Sequence, residues 1–287
     1  MYKILQKQVL SDAIKLIIVK APLVAARALA GQFVIVRLNE SGERIPLTIA
    51  DSSPAEGTIT LIFQEVGKST MQMGLLEAGD GFENVVGPLG RPTQVKNYGK
   101  VVLIGGGVGV APLFPIARAL KEAGNTVISI IGARTKALLF WEERMRRYSD
   151  RLIVCTDDGT YGRRALVTGP LKDLLEFEKD LSRAWAIGPA VIMKFVAETT
   201  RPARLPTLVS LNTIMIDGTG MCGGCRVVLD DGAQFVCVDG PEFDAHRIDW
   251  NNLLERLSFY REEERMAIER WQRHVCNLDL AFEEMVR

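Results

Sequence analysis

Three cysteines within sixteen residues constrain the fold of this chain more than any other feature of its sequence. The spacing reads Asp217-x4-Cys222-x2-Cys225-x11-Cys237, and glycines occupy positions 218, 220, 223 and 224. In a reducing compartment such clustering favours a metal site over disulfide bonds. We therefore predict a glycine-rich loop that closes around a metal centre held by Asp217, Cys222, Cys225 and Cys237.

Two kinds of metal centre fit this spacing. The loop of plant-type 2Fe–2S clusters has the pattern C-x4-C-x2-C with a fourth cysteine further on, and Asp217 stands where the first cysteine would be. Glycines let the loop direct backbone N–H groups at sulfide, which tunes the reduction potential. The alternative is a structural zinc ion held by Cys222, Cys225, Cys237 and His246. The cluster is favoured because zinc prefers a second closely spaced ligand pair, whereas His246 stands alone.

Length and composition indicate a globular chain of about two domains, or three small ones. The chain has 287 residues, of which 47% are hydrophobic and 24% are charged, as in ordinary soluble proteins. Because 35 Lys and Arg balance 35 Asp and Glu, we expect no binding to nucleic acid and none to a membrane surface. We recognise no secretory signal and no membrane-spanning segment, so a cytoplasmic location is expected.

The residue pattern divides the chain into four segments. Residues 1–97 alternate short β-branched runs with turn formers, which predicts a β-barrel. Residues 98–205 alternate apolar runs with helical patterns, which predicts an α/β domain with a parallel sheet. Residues 206–250 hold the cysteine loop, and residues 251–287 predict a C-terminal helical extension. The expected fold is therefore multi-domain.

A glycine-rich turn after a strand indicates that the second segment binds a dinucleotide. Without Cβ atoms, the backbone of such a turn can contact a pyrophosphate. Other segments fall where further strands should end, which is the edge at which open α/β sheets bind ligands. Each of these segments taken singly is also explained as a plain turn. The candidate residues are Gly105, Gly106, Gly107, Gly109, Arg134, Asp157, Asp158, Gly188 and Pro189.

In the first segment, Gly67, Ser69 and Thr70 follow a predicted strand and open a short predicted helix. Free N–H groups at the start of a helix bind phosphate oxygens, and Gly67 allows a close approach. The alternative is an N-cap with a polar turn. The sequence is not a Walker A loop, because Ile62 replaces the first glycine of that motif.

Taken together, residues 1–245 resemble the ferredoxin-reductase-like electron-transfer flavoproteins. The motifs that carry the resemblance are Arg44–Asp51, Gly105–Pro112, Gly132–Lys136 and Thr156–Gly162. Within this superfamily the chain is similar to the small subunits of NADH-dependent reduced ferredoxin:NADP oxidoreductases, also called sulfide dehydrogenases. It is also similar to the electron transfer subunits of dihydroorotate dehydrogenase B. Those subunits use four cysteines, so the aspartate at position 217 favours the first group.

The resemblance implies FAD on the barrel, NAD(H) in the second segment and a 2Fe–2S cluster in the third. It implies that Thr48 lies near the flavin ring as a catalytic residue, and that Gly67, Ser69 and Thr70 hold the FAD pyrophosphate. The sequence itself leaves NADH and NADPH open, because Arg134 follows the second strand of the α/β segment, where a basic residue could meet a 2′-phosphate. The resemblance favours NADH.

Two departures from the family pattern bear on the site. The motif R-P-Y-S reads Ile45–Thr48 here, with the arginine displaced by one residue to Arg44 and with Pro46 and Leu47 as further FAD candidates. Because one step along a strand reverses the face, Arg44 is expected to reach FAD differently or not at all. The family's C-G-P motif reads Ile187–Pro189, so no thiol assists there.

The implied function is an electron transfer subunit that passes electrons from NADH through FAD and the cluster to a larger flavin and iron–sulfur partner subunit. Ferredoxin and NADP are then reached only through that partner, by flavin-based electron bifurcation. Alternatives are the electron transfer subunit of a dihydroorotate dehydrogenase B-type complex and a standalone NAD(P)H diaphorase. A nucleotide-sensing module with a structural zinc is a further alternative, from another class. The helix around Trp271 is either a docking surface or packs on its own domain.

Overall fold

The computed structural model describes the backbone of residues 1–286 and the side chains of residues 1–273. The strands are β1 (Tyr2–Ser11), β2 (Ile14–Lys20), β3 (Phe33–Arg37), β4 (Arg44–Ser53), β5 (Thr58–Gln64), β6 (Gly81–Phe82), β7 (Asn84–Leu89), β8 (Lys100–Gly106), β9 (Thr126–Ala133), β10 (Arg151–Thr156), β11 (Arg163–Arg164), β12 (Leu181–Ile187), β13 (Thr207–Ser210), β14 (Arg226–Leu229), β15 (Gly232–Phe235) and β16 (Glu242–Asp244). The helices are α1 (Pro22–Ala25), α2 (Lys68–Gly74), α3 (Val110–Glu122), α4 (Glu142–Arg147), α5 (Thr168–Phe177), α6 (Ala190–Thr200), α7 (Val236–Asp239), α8 (Trp250–Arg256) and α9 (Arg261–Val286).

The N-terminal sheet confirms the predicted β-barrel. Its strands pair antiparallel in the order β6–β1–β2–β5–β4–β3–β7 and form a near-closed barrel. Alternate residues of the strands point inward, as the period of two requires, and Ile17, Val19, Ile59 and Leu61 are fully buried. The sequence pattern did not indicate β1, because only Ile4 of this strand is buried and its exposed positions mix lysine and glutamine with Leu5 and Val9.

The second sheet confirms the predicted parallel α/β fold. Its strand order is β11–β10–β9–β8–β12–β13–β16, and all neighbours are parallel except β13 and β16. Alternate residues of β8 enter two different apolar clusters: Val102 and Ile104 pack with α5 and α6, and Val101 and Leu103 pack with α3 and α4. Both faces of the sheet are therefore covered by helices, which explains why its strands read as continuous apolar runs.

Two predicted helices differ from the observed ones. The pattern over residues 139–148 predicts one helix, but α4 begins only at Glu142, because Trp141 adopts a left-handed φ of 56°. The C-terminal pattern predicts continuous helix from residue 251, but the chain turns between α8 and α9. Asp249 caps α8, since its Oδ1 accepts the N–H groups of Asn251 and Asn252 at 3.1 and 3.0 Å.

Helix α9 contacts α2 of the barrel, so part of this charged helix packs on its own chain. Trp271 on α9 is half-buried, whereas the side chains of His274 and Cys276 lie outside the described residues. Over residues 1–286, no helix has both the length and the apolar composition that crossing a bilayer would require.

The barrel shares an apolar cluster with the parallel sheet on each face of that sheet. Ala50 and Ile62 of the barrel pack in the same cluster as Val110 and Phe114 of α3. On the other side of the sheet, the hairpin β14–β15 and the cysteine segment pack in the cluster that contains Ile35 of β3. Strands β13 and β16 flank the cysteine segment in the chain and extend the parallel sheet. Domain boundaries near residues 97, 205 and 250 stay predictions.

Because the shared core depends on α3, we predict that Leu113→Ala lowers the free energy of unfolding by about 2–5 kcal/mol. Leu113 is completely buried, and truncating it leaves a cavity beside β8. Leu23→Ala is the matched control, since Leu23 is 85% exposed and its loss should cost less than about 0.5 kcal/mol. Urea denaturation measures both values, and equal losses would contradict the central place of α3.

Candidate functional site

The glycine-rich turn leads from the parallel sheet into its first helix. Gly105 and Gly106 end β8, and a 3-10 turn that contains Gly107 and Gly109 leads into α3. A Cβ atom on Gly109 would lie 2.2 Å from the carbonyl oxygen of Ile187, so only glycine fits there. The turn is therefore pressed against the end of β12.

The turn after β12 lies beside the turn after β8. Ile187 pairs with Gly105 across the two strands, and a Cβ atom on Gly188 would lie 3.0 Å from the carbonyl oxygen of Gly106. Pro189 immediately precedes α6. The order of strands reverses between β8 and β12, and such a reversal opens a crevice beyond the carboxyl ends of the strands. The predicted glycine residues thus line one crevice.

The loops after β9 and β10 lie side by side at the same edge of the sheet. The N–H of Asp157 donates to the carbonyl of Ala133 at 3.1 Å, and the N–H of Asp158 donates to the carbonyl of Arg134 at 3.2 Å. Removal from water and the neighbouring Asp158 charge raise the pKa of Asp157. The backbone N–H of Thr160 lowers the pKa of Asp158. Exposed hydrogen-bonding groups therefore continue the crevice beyond the glycine turns.

On the barrel side, strand β4 presents two different faces. Leu47 and Ile49 point into the barrel core, whereas Arg44, Pro46 and Thr48 share the opposite face by the alternation of the strand. The displaced arginine thus lies on the face of Thr48. The side chain of Leu47 is occupied by packing inside the barrel.

The cysteine loop packs beside this face of β4. The Nη1 atom of Arg44 lies 3.4 Å from the carbonyl oxygen of Ile216, and Arg44 and Asp217 line one cavity of about 220 Å³. Gly218 has a φ of +75°, and a Cβ atom there would lie 2.7 Å from side-chain carbons of both Ile35 and Leu89. No motif indicated this contact, because it joins parts of the chain more than 120 residues apart.

The Gly67–Thr70 segment forms an N-cap and the first turn of α2. The hydroxyl oxygen of Thr70 accepts the N–H groups of Val66 and Gly67, both at 3.0 Å, so it holds the turn. The hydroxyl of Ser69 donates to the carboxylate of Glu43. The first N–H groups of a helix have no partner within the helix. These backbone groups are therefore the donors that the turn offers to an anion.

Two cysteines of the loop form a buried pair without a disulfide. Cys225 and Cys237 are each 1% exposed, and their Sγ atoms are 3.2 Å apart. Burial and the adjacent Cys225 raise the pKa of Cys237 to about 12, while the backbone N–H of Gly220 acts in the opposite direction. Two adjacent buried sulfurs and a backbone N–H directed at one of them are the donor set that an iron–sulfur centre uses.

Asp217 organises the start of the loop. Its carboxylate accepts the N–H of Thr219 at 2.8 Å and the N–H of Cys222 at 2.6 Å. These hydrogen bonds, that of Thr219 first, lower the pKa of Asp217, so its carboxylate is ionised. Cys222 itself is exposed. The loop therefore has a buried sulfur pair at its base, and a half-buried aspartate and an exposed cysteine at its rim.

The zinc site considered as an alternative, with Cys222, Cys225, Cys237 and His246 as ligands, is not formed in the described part of the chain. The Nε2 atom of His246 lies 2.9 Å from the hydroxyl of Thr200, and burial lowers the pKa of the ring. Among the described residues, no three His, Cys, Asp or Glu side chains already form a compact metal-binding group, and this holds for the set of Asp217 and the three cysteines as well as for the zinc set. His246 is occupied within its own packing, so it does not complete a site with the cysteines.

Comparison with known proteins identifies relatives over nearly the whole chain. Residues 212–249 match the iron–sulfur cluster binding domain of dihydroorotate dehydrogenase B. The chain is 48% identical over 253 residues to a dihydroorotate dehydrogenase B (NAD⁺) electron transfer subunit homologue of Thermotoga maritima, covering 88% of this chain and 89% of the relative. It is 31% identical to the electron transfer subunit of that enzyme from Desulforamulus reducens, covering 80% and 90% of the two chains.

Comparison with solved structures gives a result consistent with the sequence comparison. A chain of the NADH-dependent reduced ferredoxin-NADP oxidoreductase, described for flavin-based electron bifurcation, superposes with a TM-score of 0.90 and 44% identity, covering 95% of this chain and 98% of that one. An Amycolatopsis cytochrome P450 reductase superposes with a TM-score of 0.62 at 24% identity, covering 71% and 66% of the two chains. At that identity the likeness concerns the fold alone.

Cys222 at the rim of the loop is exposed whereas Cys225 and Cys237 at its base are buried, and thiol labelling tests this difference. In metal-free protein with a Cys276→Ser background, we predict that Cys222 reacts with a thiol reagent at pH 8 at least about tenfold faster than Cys225 and Cys237. Cys155 is the internal control, because burial raises its pKa to about 11 and it should stay slow as well. Labelling rates by mass spectrometry measure this. Equal rates at Cys222 and Cys237 would contradict the buried pair.

Proposed function

Because the chain belongs to the family of dihydroorotate dehydrogenase B electron transfer subunits and their homologues, we propose that it is the NAD-side electron transfer subunit of an electron-bifurcating oxidoreductase. It takes electrons from NADH and delivers them to a larger flavin and iron–sulfur partner subunit. Ferredoxin and NADP react at that partner and not at this chain. The cofactors of the subunit are FAD, a 2Fe–2S cluster and NAD(H).

The observation that supports this proposal most is the place of the cysteine loop. The loop lies on β3 and β7, directly beside the β4 face that carries Thr48. The described pairing of Cys225 with Cys237 leaves Asp217 and Cys222 at the rim, where both side chains can turn toward a bound cluster. We assign Asp217, Cys222, Cys225 and Cys237 as the ligands.

The barrel face and the crevice are the two halves of the FAD and nucleotide site. Helix α3 starts directly after the glycine turn and packs on β4, so the face of Thr48 and the glycine turn are joined by one helix. We propose that the hydroxyl of Thr48 orients the flavin ring and that Arg44 and Pro46 lie along the flavin. Leu47 supports that strand from inside the barrel.

The residues assigned to NAD(H) bind it through the shape of the crevice and through backbone N–H donors. Gly105, Gly106, Gly107 and Gly109 bring the main chain close to the pyrophosphate, and Gly188 and Pro189 close the crevice beside the nicotinamide. Arg134, Asp157 and Asp158 are assigned to the ribose end of the nucleotide. Without a thiol at Ile187, the chain contributes placement rather than a reactive group there.

The turn before α2 is assigned to the FAD pyrophosphate. Thr70 shapes the turn through its hydroxyl, and the N–H groups after Gly67 donate to the phosphate oxygens. Ser69 can join them only by leaving the carboxylate of Glu43. Because a phosphate group bound at this turn would repel the carboxylate of Glu43, we expect that carboxylate to move away when FAD binds.

A bound FAD would supply the chemistry that links a two-electron hydride donor, NADH, to a one-electron acceptor, the cluster. The residues of this chain hold the reacting groups together and direct the backbone N–H of Cys237 at the sulfur of Cys225, 3.5 Å away. Such a hydrogen bond stabilises negative charge on sulfur, which makes the centre a better electron acceptor.

A second candidate is the electron transfer subunit of a dihydroorotate dehydrogenase B-type complex. The match of residues 212–249 to the cluster-binding domain of that enzyme favours it. The two candidates share the cofactors and differ in the partner subunit. The identity of the partner therefore decides between them.

Anaerobic purification from the native host tests the proposal. We expect iron and acid-labile sulfide in a 2Fe–2S ratio, one FAD per chain, and bleaching of both chromophores by NADH. A co-purifying larger flavin and iron–sulfur subunit supports the first candidate, and a dihydroorotate dehydrogenase catalytic chain supports the second. Absence of iron and sulfide, with one zinc ion per chain, would overturn both candidates in favour of the zinc-holding module.

Replacing the aspartate tests the ligand assignment. We predict that Asp217→Cys retains the cluster but changes its electron spin resonance spectrum and shifts its reduction potential by on the order of 100 mV, because thiolate replaces a harder oxygen donor. Asp12→Cys on the exposed turn between β1 and β2 is the control, since it adds a thiol without touching the loop. An unchanged spectrum in Asp217→Cys would show that Asp217 is no ligand.

A further inference from the structure

We propose that Asp51, held between Arg118 and Arg144, is a positioning residue that fixes the barrel strand β4 against helix α3 and thereby sets the geometry of hydride transfer. The three residues are called the Asp51 latch below. This inference rests on the proposed function, because it concerns how the two halves of that site are aligned.

The latch crosses from the barrel to the parallel sheet. One carboxylate oxygen of Asp51 lies 2.9 Å from Nη1 of Arg118 on α3, and the other lies 3.5 Å from Nη1 of Arg144 on α4. Asp51 and Arg118 are only 25% and 30% exposed. Partial burial weakens screening by solvent, so these ion pairs are stronger than those between fully exposed side chains.

An aromatic cluster fixes both arginines in place. The guanidinium of Arg118 lies 5.3 Å from the ring centre of Phe114, and that of Arg144 lies 4.5 Å from the ring centre of Trp141. Phe114 and Trp141 pack edge to face at 5.1 Å. Cation–π contacts of this kind hold a guanidinium without neutralising it. The two positive charges thus converge on Asp51 as their shared partner.

The left-handed backbone of Trp141 belongs to the same arrangement. A φ of 56° is unfavourable for a bulky residue, and it persists only where the surrounding packing compensates for it. Here it directs the indole ring toward Phe114 and Arg144. The turn at Trp141 and the two cation–π contacts therefore hold the two arginines, and both arginines pair with the carboxylate of Asp51.

The latch lies where the barrel strand that carries Thr48 meets the helix that follows the glycine turn. Asp51 lies three residues after Thr48 on β4, and Arg118 lies on the helix that begins directly after Gly109. The apolar contacts of Ala50 with α3 hold the two parts together, but burial of apolar surface has no direction. Ion pairs with fixed donors and acceptors do have direction, so they set the register of the strand against the helix.

This geometry predicts that the latch affects the rate of hydride transfer more than nucleotide affinity. The residues assigned to NADH lie at strand ends and on loops of the parallel sheet, and in the described structure none of them forms a hydrogen bond or an ion pair with Asp51. Loss of the latch should therefore leave the bound nucleotide in place but let β4, the strand that carries Thr48, shift. A displacement of a fraction of an ångström is enough to slow a transfer that depends on placement.

The test is stopped-flow reduction of bound FAD by NADH in the complete protein. We predict that Asp51→Asn lowers the limiting rate constant about tenfold while the Kd for NADH changes by less than about twofold. Asp51→Glu keeps the charge and should recover part of the lost rate. The wild-type rate should fall as salt is raised, whereas the rate of Asp51→Asn should be insensitive to salt.

Glu77→Gln is the matched control. Glu77 pairs with Lys7 at 2.6 Å on the surface of the barrel, where the Glu77 side chain is 70% exposed, so its loss removes an ion pair without touching the junction, and the rate should not change. A double-mutant cycle supplies a measurement that does not depend on activity. Thermal unfolding gives the stability of Asp51→Asn, of Arg118→Met and of the double variant in flavin-free protein. The two substitutions should be non-additive there.

The outcomes separate the latch from the proposed function. If NADH fails to reduce the flavin of the wild-type protein, the proposed function fails, and the role of the latch falls with it. If the wild-type protein is reduced and Asp51→Asn matches its rate, the latch alone is overturned. A raised Kd with an unchanged limiting rate would also overturn it, because Asp51 would then act on binding.

Discussion

The apolar contact between the barrel and helix α3 is the interaction on which the rest of the structure depends. Ala50 and Ile62 of the barrel enter the same core as Val110 and Phe114 of α3. The same helix carries the glycine turn at its start, so one packing contact joins the barrel face and the crevice. Burial of apolar surface provides most of the energy of this contact, and the ion pairs of Asp51 add direction to it.

The cysteine loop depends on a second close approach, in which glycine replaces a side chain. Gly218 lies against Ile35 and Leu89, and any Cβ atom at this position would overlap them. The base of the loop buries Cys225 and Cys237, which share the apolar core of the parallel sheet. The loop is therefore anchored on both sheets, and its exposed rim is left for Cys222 and Asp217.

These two contacts place three chemical regions in sequence along the molecule. The crevice lies at the carboxyl ends of β8 and β12, the face of Thr48 lies on the barrel across α3, and the cysteine loop lies beyond that face. An electron path from a nicotinamide nucleotide to a one-electron centre needs this order. The order arises from packing rather than from the order of motifs in the chain.

Local pattern in the sequence determined much of the fold. Runs of β-branched residues separated by turn formers predicted the strands β2 to β5, and the alternation of apolar runs with helical patterns predicted the parallel sheet. The glycine turn and the cysteine spacing could also be read from the sequence, because each lies in one short stretch of chain, residues 105–109 and 217–237. The missed strand β1 and the breaks before α4 and α9 show where the local signal was weak or was overridden by tertiary contacts.

The tertiary structure alone decided which of these residues meet. It turned His246 toward Thr200, away from the zinc set, and Leu47 into the barrel core, and it brought Arg44 to the carbonyl of Ile216. It also joined Asp51 to Arg118 and Arg144, which no motif connects. The physical reason is that a side chain's partner across a fold depends on the packing of whole sheets and helices, which residue spacing along the chain does not encode.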